Sequence, residues 1–151
     1  MMISIALYKP DIPQNTGAIV RLCACLGLKL HIIEPCGFNI HDKRFKRVVM
    51  DYKKICEIIR YENFENFLAN NKKSRIILMT TKSKKKYYNY IFKKNDIILF
   101  GRESSGAPDE VHKIVNERLN IPITKKSRSL NIVVSVAISA SEAIRQQILK
   151  S

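Results

Sequence analysis

Short and almost unbroken apolar runs constrain the fold of this 151-residue sequence more than any other feature. Residues 75–80 are RIILMT and residues 96–100 are DIILF, and neither run alternates polar with apolar side chains. Strands of this kind are buried on both faces, as the central strands of a parallel sheet are. Parallel strands need crossover connections that are usually helical, so the two runs predict an α/β fold.

The remaining sequence supports this prediction because strand-like and helix-like segments alternate along it. Strands are predicted at residues 3–8, 28–33, 55–61, 75–80, 96–100 and 118–121. Helices are predicted at residues 16–26, 43–50, 62–69, 108–117 and 130–149. The pattern predicts a single domain, residues 1–151, with a mostly parallel sheet and helices on both of its faces.

Residues typical of helix ends accompany the predicted helices. Asn15 is a candidate N-cap for the first helix, and Gly27 suits its C-terminal end. Asp42 is placed to cap the second helix, and Pro108 suits the first turn of the fourth. Ser129 and Asn131 are both candidates for capping the last helix.

The net charge of +14 favours a polyanionic partner, of which nucleic acid is the commonest. A compositional explanation competes with this one, because the chain also holds 18 Lys, 22 Ile and 11 Asn, the skew of an AT-rich genome. The tract KSKKK at residues 82–86 has the same two interpretations, a solvated loop or a loop that contacts RNA. The charge alone therefore leaves the partner open.

Membrane and metal functions are not expected. The longest apolar stretch, residues 132–140, is interrupted by two serines and is too short to span a bilayer, and no targeting leader is evident. A cytoplasmic protein is therefore predicted. The four cysteines form no paired C-x-x-C motif, so we expect buried or half-buried reduced thiols and no zinc site.

The turn after the first strand excludes the commonest nucleotide-binding fingerprint. It reads KPDIPQNTG, which has one glycine where a dinucleotide-binding or common methyltransferase fold has a glycine-rich loop. Glycines occur instead at Gly101 and Gly106, after a late strand. Ligands of open α/β sheets bind at the carboxyl ends of strands, so the predicted site lies near Thr80, Gly101 and Pro122.

Three segments in a fixed order carry a family resemblance. They are NTGAIVR at residues 15–21, FGRESSG at residues 100–106 and IPITKKSRSLN at residues 121–131. Together they resemble the motifs of the SPOUT superfamily of RNA methyltransferases, and in detail its small subfamily that 2′-O-methylates the wobble nucleotide of tRNA. The resemblance extends from residue 3 to about residue 146.

The resemblance implies an S-adenosylmethionine site in a C-terminal trefoil knot, without a metal. Carried over by position, the cofactor contacts fall at Met79, Gly101, Gly106, Ile121, Ser129 and Leu130. Many of these contacts would come from the backbone. At Gly101 the missing Cβ would let the backbone approach the ligand closely.

The resemblance also implies which residues act on RNA. Arg21 would stabilise the nucleophilic 2′-oxygen and contact phosphate, Asn15 would position Arg21, and Arg128 is a second candidate RNA contact. Glu103 would orient its neighbours. His31, His41 and His112 are expected to have surface or packing roles.

The expected partners are the anticodon stem-loop of tRNA and a second copy of the chain, held through the C-terminal helix, which is apolar on almost every side. Three alternatives remain: a ribosomal RNA 2′-O-methyltransferase, a non-catalytic RNA-binding protein with the same fold, and a small-ligand α/β protein. The lack of an RNA-binding extension on the given sequence favours the tRNA enzyme over the ribosomal one.

Overall fold

Six parallel strands form one sheet in the computed structural model, which describes residues 2–150. The strands are β1 Ser4–Tyr8, β2 Leu30–Ile33, β3 Ile58–Tyr61, β4 Ile76–Met79, β5 Ile97–Phe100 and β6 Glu117–Leu119. The helices are α1 Pro13–Leu26, α2 Lys43–Tyr52, α3 Phe64–Asn70, α4 Asp109–Ile114 and α5 Ile132–Lys150, with a 3₁₀ turn at Tyr87–Asn89. Every predicted strand and helix is present.

The strand order is β3-β2-β1-β5-β4-β6, and each neighbouring pair is parallel. β1 and β5 are therefore central, and side chains on both of their faces are buried. One apolar core contains Ile5, Ile19, Phe45 and Ala140, so α1, α2 and α5 cover one face of the sheet. The other core contains Phe67 and Val111 and lies under α3 and α4. The prediction of a parallel sheet with helices on both faces is confirmed.

The first helix begins earlier than its sequence predicted. α1 starts at Pro13 and has Ile12 as its N-cap residue, with no side-chain cap, so Asn15 is not an N-cap. The fixed φ of proline suits the first position of a helix, where no backbone donor is needed. Gly27 ends the helix with φ 69°, in the left-handed conformation, as predicted.

The predictions for three further helix ends had different outcomes. Asp42 caps α2 as predicted, accepting hydrogen bonds from the backbone N–H of Arg44 and Phe45. Asn131 caps α5, because its Oδ1 accepts from the backbone N–H of Val133 at 2.8 Å. Pro108 is the N-cap residue of α4 and lies before its first turn.

Two strands are displaced from their predicted positions. β3 starts at Ile58 because the chain turns immediately after α2, and that turn places Cys56 in the core. β6 covers Glu117–Leu119, whereas the prediction ran from residue 118 to 121, because the chain leaves the sheet for the functional site at that point. Among the thiols, Cys23 and Cys56 are buried and Cys36 half-buried, but Cys25 is exposed on α1, contrary to the prediction.

The last helix, Ile132–Lys150, lies close to the predicted residues 130–149 and extends well beyond the apolar stretch 132–140. Over residues 2–150, α5 is the one helix whose length and composition would suffice to cross a membrane. Its buried residues, Val136, Ser139, Ala140 and Ala143, instead lie in the protein core. Gln146 also fixes it to the chain before β5, accepting from the N–H of Phe92 at 2.8 Å and donating to the carbonyl of Tyr90 at 2.9 Å. Only 28% of the apolar window is buried, so the rest of its surface is open to solvent or to a partner.

Candidate active site

A cavity of about 500 Å³ lies at the carboxyl ends of β4, β5 and β6. Its walls come from the turn after β4, the loop after β5 and the segment that connects β6 to α5. The start of α1 closes one side through Ile12 and Asn15. These segments meet because parallel strands all present their carboxyl ends at the same edge of a sheet.

The cavity brings together all six residues assigned to the cofactor by position. They are Met79, Gly101, Gly106, Ile121, Ser129 and Leu130, and Asn15 joins them. The sites that are distant in sequence thus share one cavity. A volume of about 500 Å³ is within the usual range for pockets that bind small molecules and cofactors.

Arg21 and Arg128 do not line this cavity. Arg21 is exposed on α1, six residues beyond Asn15, a separation of about 9 Å along the helix axis and of 240° around it. Arg128 is exposed in the basic loop immediately before Ser129. Within residues 2–150 neither guanidinium has an ion pair or a hydrogen bond, so both charges are free for a partner.

Gly101 is required by the protein backbone itself. A Cβ at this position would lie 2.4 Å from the backbone N of Ala107 and 2.5 Å from the carbonyl carbon of Gly106. Arg102 and Gly106 exchange two backbone hydrogen bonds, of 2.8 and 3.2 Å, which fold the loop back on itself. Gly106 has φ 68°, a conformation that side chains rarely adopt. Gly101 is therefore needed for a tight turn of the chain, and the close approach of a ligand to its backbone stays a prediction.

Glu103 joins this loop to the start of α1. Its Oε2 accepts hydrogen bonds from the backbone N–H of Asp11 at 2.9 Å and of Ile12 at 2.7 Å. Its Oε1 is buried without a hydrogen-bond partner among the described residues. Burial raises the pKa of Glu103, and the two backbone hydrogen bonds oppose that effect. The predicted orienting role of Glu103 thus has a structural counterpart, the positioning of the α1 start beside the cavity.

Asp11 supplies a second set of contacts between the same two segments. It pairs with the guanidinium of Arg102 and accepts hydrogen bonds from the N–H and hydroxyl of Ser104. Burial acts to raise the pKa of Asp11, but the hydrogen bonds from Ser104 and Arg102 outweigh it and lower the pKa. Asp11 is therefore ionised at neutral pH and holds the loop after β5 against α1.

His112 lines the cavity although the sequence predicted only a surface or packing role for it, and Thr80, near which the site was predicted, lies beside it. His112 Nδ1 donates to the carbonyl of Pro108 at 3.0 Å, and its Nε2 is 2.8 Å from Thr80 Oγ1. A carbonyl can only accept, so a neutral His112 carries its proton on Nδ1 and accepts from the Thr80 hydroxyl. His112 lies within α4, outside the three motifs, and no local pattern marks it as a cavity residue.

His31 belongs to the core, as expected. Its ring nitrogens contact Ser4 Oγ at 3.0 Å and the Tyr61 hydroxyl at 2.8 Å, and only 3% of the residue is exposed. Burial lowers the pKa of His31 to about 4. His31 lies near the amino ends of the strands, at the end of the sheet opposite the cavity. His41, in contrast, is exposed.

Comparison with known proteins identifies the class to which this fold and site belong. Residues 2–141 match the SpoU rRNA methylase family, which covers well over half of the chain, so the protein belongs to that family. The resemblance found in the three motifs is thereby confirmed.

Within the family, similarity is high to proteins named tRNA (cytidine(34)-2′-O)-methyltransferase. The Beijerinckia indica protein is 44% identical over 94% of this chain and 90% of its own length. The corresponding protein of Escherichia coli strain K12 is 37% identical over 96% of this chain and 94% of its own length.

Solved structures agree with the fold. A structure concerned with the 2-OH methylation of C/U34 on tRNA has a TM-score of 0.91 and 36% identity, covering 97% of both chains. An rRNA methyltransferase of Sinorhizobium meliloti with bound AdoMet has a TM-score of 0.85 over 95% of this chain and 56% of its own. At 22% identity that second likeness shows the fold alone.

Proposed function

We propose that this protein transfers a methyl group from S-adenosylmethionine to the ribose 2′-hydroxyl of the wobble nucleotide, position 34, of tRNA. The observation that carries the proposal is the similarity, at 37–44% identity over nearly the whole chain, to enzymes named for this reaction. The substrate nucleotide is cytidine or a modified uridine, because the similar solved structure concerns C/U34.

Ribosomal RNA 2′-O-methylation is the alternative that the family description suggests. Two observations weigh against it. The rRNA methyltransferase with bound AdoMet is only 22% identical to this chain. The named tRNA enzymes are matched over 90% or more of their own lengths. A non-catalytic RNA-binding protein is disfavoured because all six residues that the family resemblance assigned to the cofactor line the cavity.

The cavity suits S-adenosylmethionine in its size and chemistry. Met79, Phe100 and Leu130 provide apolar surface for a purine, and the folded-back loop from Gly101 to Gly106 provides backbone donors and acceptors. The buried, unpartnered Oε1 of Glu103 is an acceptor in the same lining. When bound, the cofactor supplies an electrophilic methyl group on a sulfonium.

The catalytic contribution of the chain is mainly alignment and charge. Holding the two reactants in line is worth up to roughly 7–11 kcal/mol. A guanidinium is a poor proton acceptor, so the role we assign to Arg21 is to stabilise the developing oxyanion and the adjacent phosphate. Asn15, in the cavity wall, positions the nucleotide within the cavity. Arg128 binds RNA at the cavity mouth, next to Ser129.

A homodimer would bring Arg21 to a cavity. Arg21 is absent from the lining of its own cavity, and α1 packs against α5, whose Val134, Ile148 and Leu149 are exposed. A monomer would leave this apolar surface in water. We therefore propose that two copies associate through α5, with Arg21 of one subunit serving the cavity of the other.

The chain path supports a trefoil knot around the site. After β6, at the edge of the sheet, the chain returns past the cavity to α5, which packs beside α1. The segment before β5 contacts this path, because the backbone N–H of Tyr87 donates to the carbonyl of Asn120 at 3.0 Å. If the chain is knotted, mechanical stretching from both termini should give an unfolded length shorter than the full contour length of the chain. Reaching the full contour length would contradict the knot.

We also propose a cytoplasmic location, since unbridged thiols suit a reducing compartment.

Labelled S-adenosylmethionine and synthetic anticodon stem-loops test the reaction. Label should pass to an RNA with ribose at position 34 and not to a matched RNA with 2′-deoxyribose there. Transfer to the deoxy RNA would contradict the 2′-hydroxyl as acceptor. Transfer only to ribosomal RNA fragments would favour the alternative enzyme, and RNA binding without any transfer would favour the non-catalytic protein.

A further inference from the structure

A second basic surface lies outside the cavity, on α2. Residues 43–54 contain six lysines and arginines against one carboxylate, Asp51. We define the basic face of α2 as Lys43, Arg44, Lys46 and Arg47, all of which are exposed. None of them has a part in the reaction proposed above.

The fold of α2 explains why these charges share one side. Phe45 is buried and packs edge-to-face on Phe38, with ring centroids 5.2 Å apart. Val48 contacts α1 beside Gly17. In an α-helix the residues opposite these two point to solvent, so Lys43, Lys46 and Arg47 project together away from the core.

Within the described residues, three of these four side chains have no ion pair, whereas two of the four lysines of the other basic tract are paired. Lys82 pairs with Asp109 at 3.4 Å, and Lys85 pairs with Glu117 at 2.7 Å. On α2, within the part of the chain that the structure describes, only Arg44 has an ion pair, with Asp42 at 4.0 Å. Unpaired cations generate a stronger field outside the protein, so α2 suits a polyanion better than residues 82–86 do.

The position of α2 relates it to the site. The segment between β2 and α2 lies at the cavity end of the sheet, because the N–H of Gly37 donates to the carbonyl of Pro10 at 2.8 Å. A Cβ on Gly37 would be 3.1 Å from the guanidinium of Arg102, and Arg102 belongs to the loop that lines the cavity. The first turn of α2 therefore begins on the side of the molecule where the substrate enters.

We infer that the basic face of α2 binds the phosphate backbone of the tRNA anticodon stem. The inference rests on the proposed function and adds where the stem is held. From Lys43 to Arg47 the helix rises about 6 Å, enough to follow neighbouring phosphates along one strand. Such contacts are independent of sequence, so they fix the orientation of the stem while the wobble nucleotide reaches the cavity.

A pair of triple variants with equal charge change tests the inference. The first is Lys43→Gln, Lys46→Gln and Arg47→Gln. The control is Lys72→Gln, Lys73→Gln and Lys94→Gln, which are exposed and lie before β4 and β5, at the opposite end of the sheet. Tritium transfer to tRNA gives KM, filter binding at several salt concentrations gives affinity, and calorimetry gives the affinity for S-adenosylmethionine.

The α2 triple should raise the KM and the Kd for tRNA about tenfold or more, and lower the salt slope by about two to three. Its affinity for S-adenosylmethionine should equal that of the wild type. A charge-conserving triple, Lys43→Arg, Lys46→Arg and Arg47→Lys, should bind tRNA normally, which separates charge from folding. The control triple should behave as the wild type does.

An equal loss in both Gln triples would overturn the inference, because net charge alone would then explain it. Normal tRNA binding by the α2 triple would overturn it as well. Wild-type protein that binds tRNA through α2 but methylates no tRNA would defeat the proposed function and leave the inference standing. Methylation that is insensitive to the α2 triple would defeat only the inference.

Discussion

At the scale of single residues, the charges near the cavity divide into fixed and free ones. Fixed charges join the start of α1 to the loop after β5: Asp11 accepts a hydrogen bond from Arg102, and Glu103 accepts one from the backbone N–H of Asp11. Arg21 and Arg128 are exposed and have no protein partner within residues 2–150. The fixed charges therefore position the site, and the free ones are available to RNA.

Replacing Arg21 by alanine should lower turnover by about 10²–10³ while the fold and cofactor affinity are kept, because one charged stabiliser of the oxyanion is lost. Single-turnover methylation, circular dichroism and calorimetry measure the three properties. Arg21→Lys should recover part of the rate, since it restores the charge without the planar fork. Equal activity of Arg21→Ala and the wild type would contradict the proposed role.

His31 should make stability depend on pH. The pKa of His31 is about 4 in the folded protein against 6.5 for the free side chain, because burial disfavours the charged ring. Between these values the unfolded chain binds more protons, so stability is complete above pH 6.5 and decreases as the pH falls toward 4. The loss is at most about 3 kcal/mol.

Urea unfolding at pH 7 and pH 5 checks this prediction. His31→Asn should have a smaller difference between the two pH values than the wild type. His41→Gln, a change at an exposed histidine, should retain the wild-type difference. An unchanged difference in His31→Asn would show that other groups cause the acid sensitivity.

At the scale of elements, the loop after β5 and the start of α1 act as one unit. Glu103 and Asp11 connect them by five hydrogen bonds and an ion pair, and the reversal at Gly101 and Gly106 sets the shape of the loop. A displacement of the loop should therefore change both the cofactor-binding cavity and the position of the start of α1. Packed interiors transmit such displacements because they have little free volume.

Two glycine-to-alanine changes should have opposite outcomes. Gly101→Ala places a Cβ 2.4 Å from backbone that cannot move freely, so the loop must open and cofactor binding should be lost. Gly17→Ala in α1 meets only Val48, at 3.6 Å, and should be neutral or stabilise the protein by up to about 1 kcal/mol. Thermal unfolding and calorimetry compare the two. Normal cofactor affinity in Gly101→Ala would contradict the assigned geometry.

At the scale of the whole molecule, the arrangement of Arg21 predicts a shared site. Mixing two inactive variants tests it: Arg21→Ala, and Leu130→Trp, which fills the cavity from a partly exposed position. If each site takes Arg21 from the other subunit, heterodimers have one complete site. After subunit exchange, activity should return to about a quarter of the wild-type value.

Each variant alone supplies the baseline, and sedimentation supplies the assembly state. Absence of any recovery in exchanged mixtures would place Arg21 at the cavity of its own subunit. A monomer at micromolar concentration would contradict the proposed dimer directly. Either result would leave the methyl-transfer reaction to be tested on its own by the deoxy substrate.

The sequence by itself determined the α/β class, the parallel sheet and the site at the ends of β4, β5 and β6. Unbroken runs such as residues 96–100 can be satisfied only by burial on both faces, and parallel strands bring their carboxyl ends together. The motif resemblance added the six cavity residues. These inferences succeed because they depend on local pattern and on rules that every parallel sheet obeys.

The tertiary structure alone decided the rest. It placed Asn15 inside α1, gave Gly101 a role in the turn, brought His112 to Thr80 and kept Arg21 outside its own cavity. The contact of His112 with Thr80 and the distance of Arg21 from the cavity both depend on segments that are far apart in sequence. No local pattern encodes such distances, because they are fixed by how the elements pack and by where the chain between β6 and α5 passes.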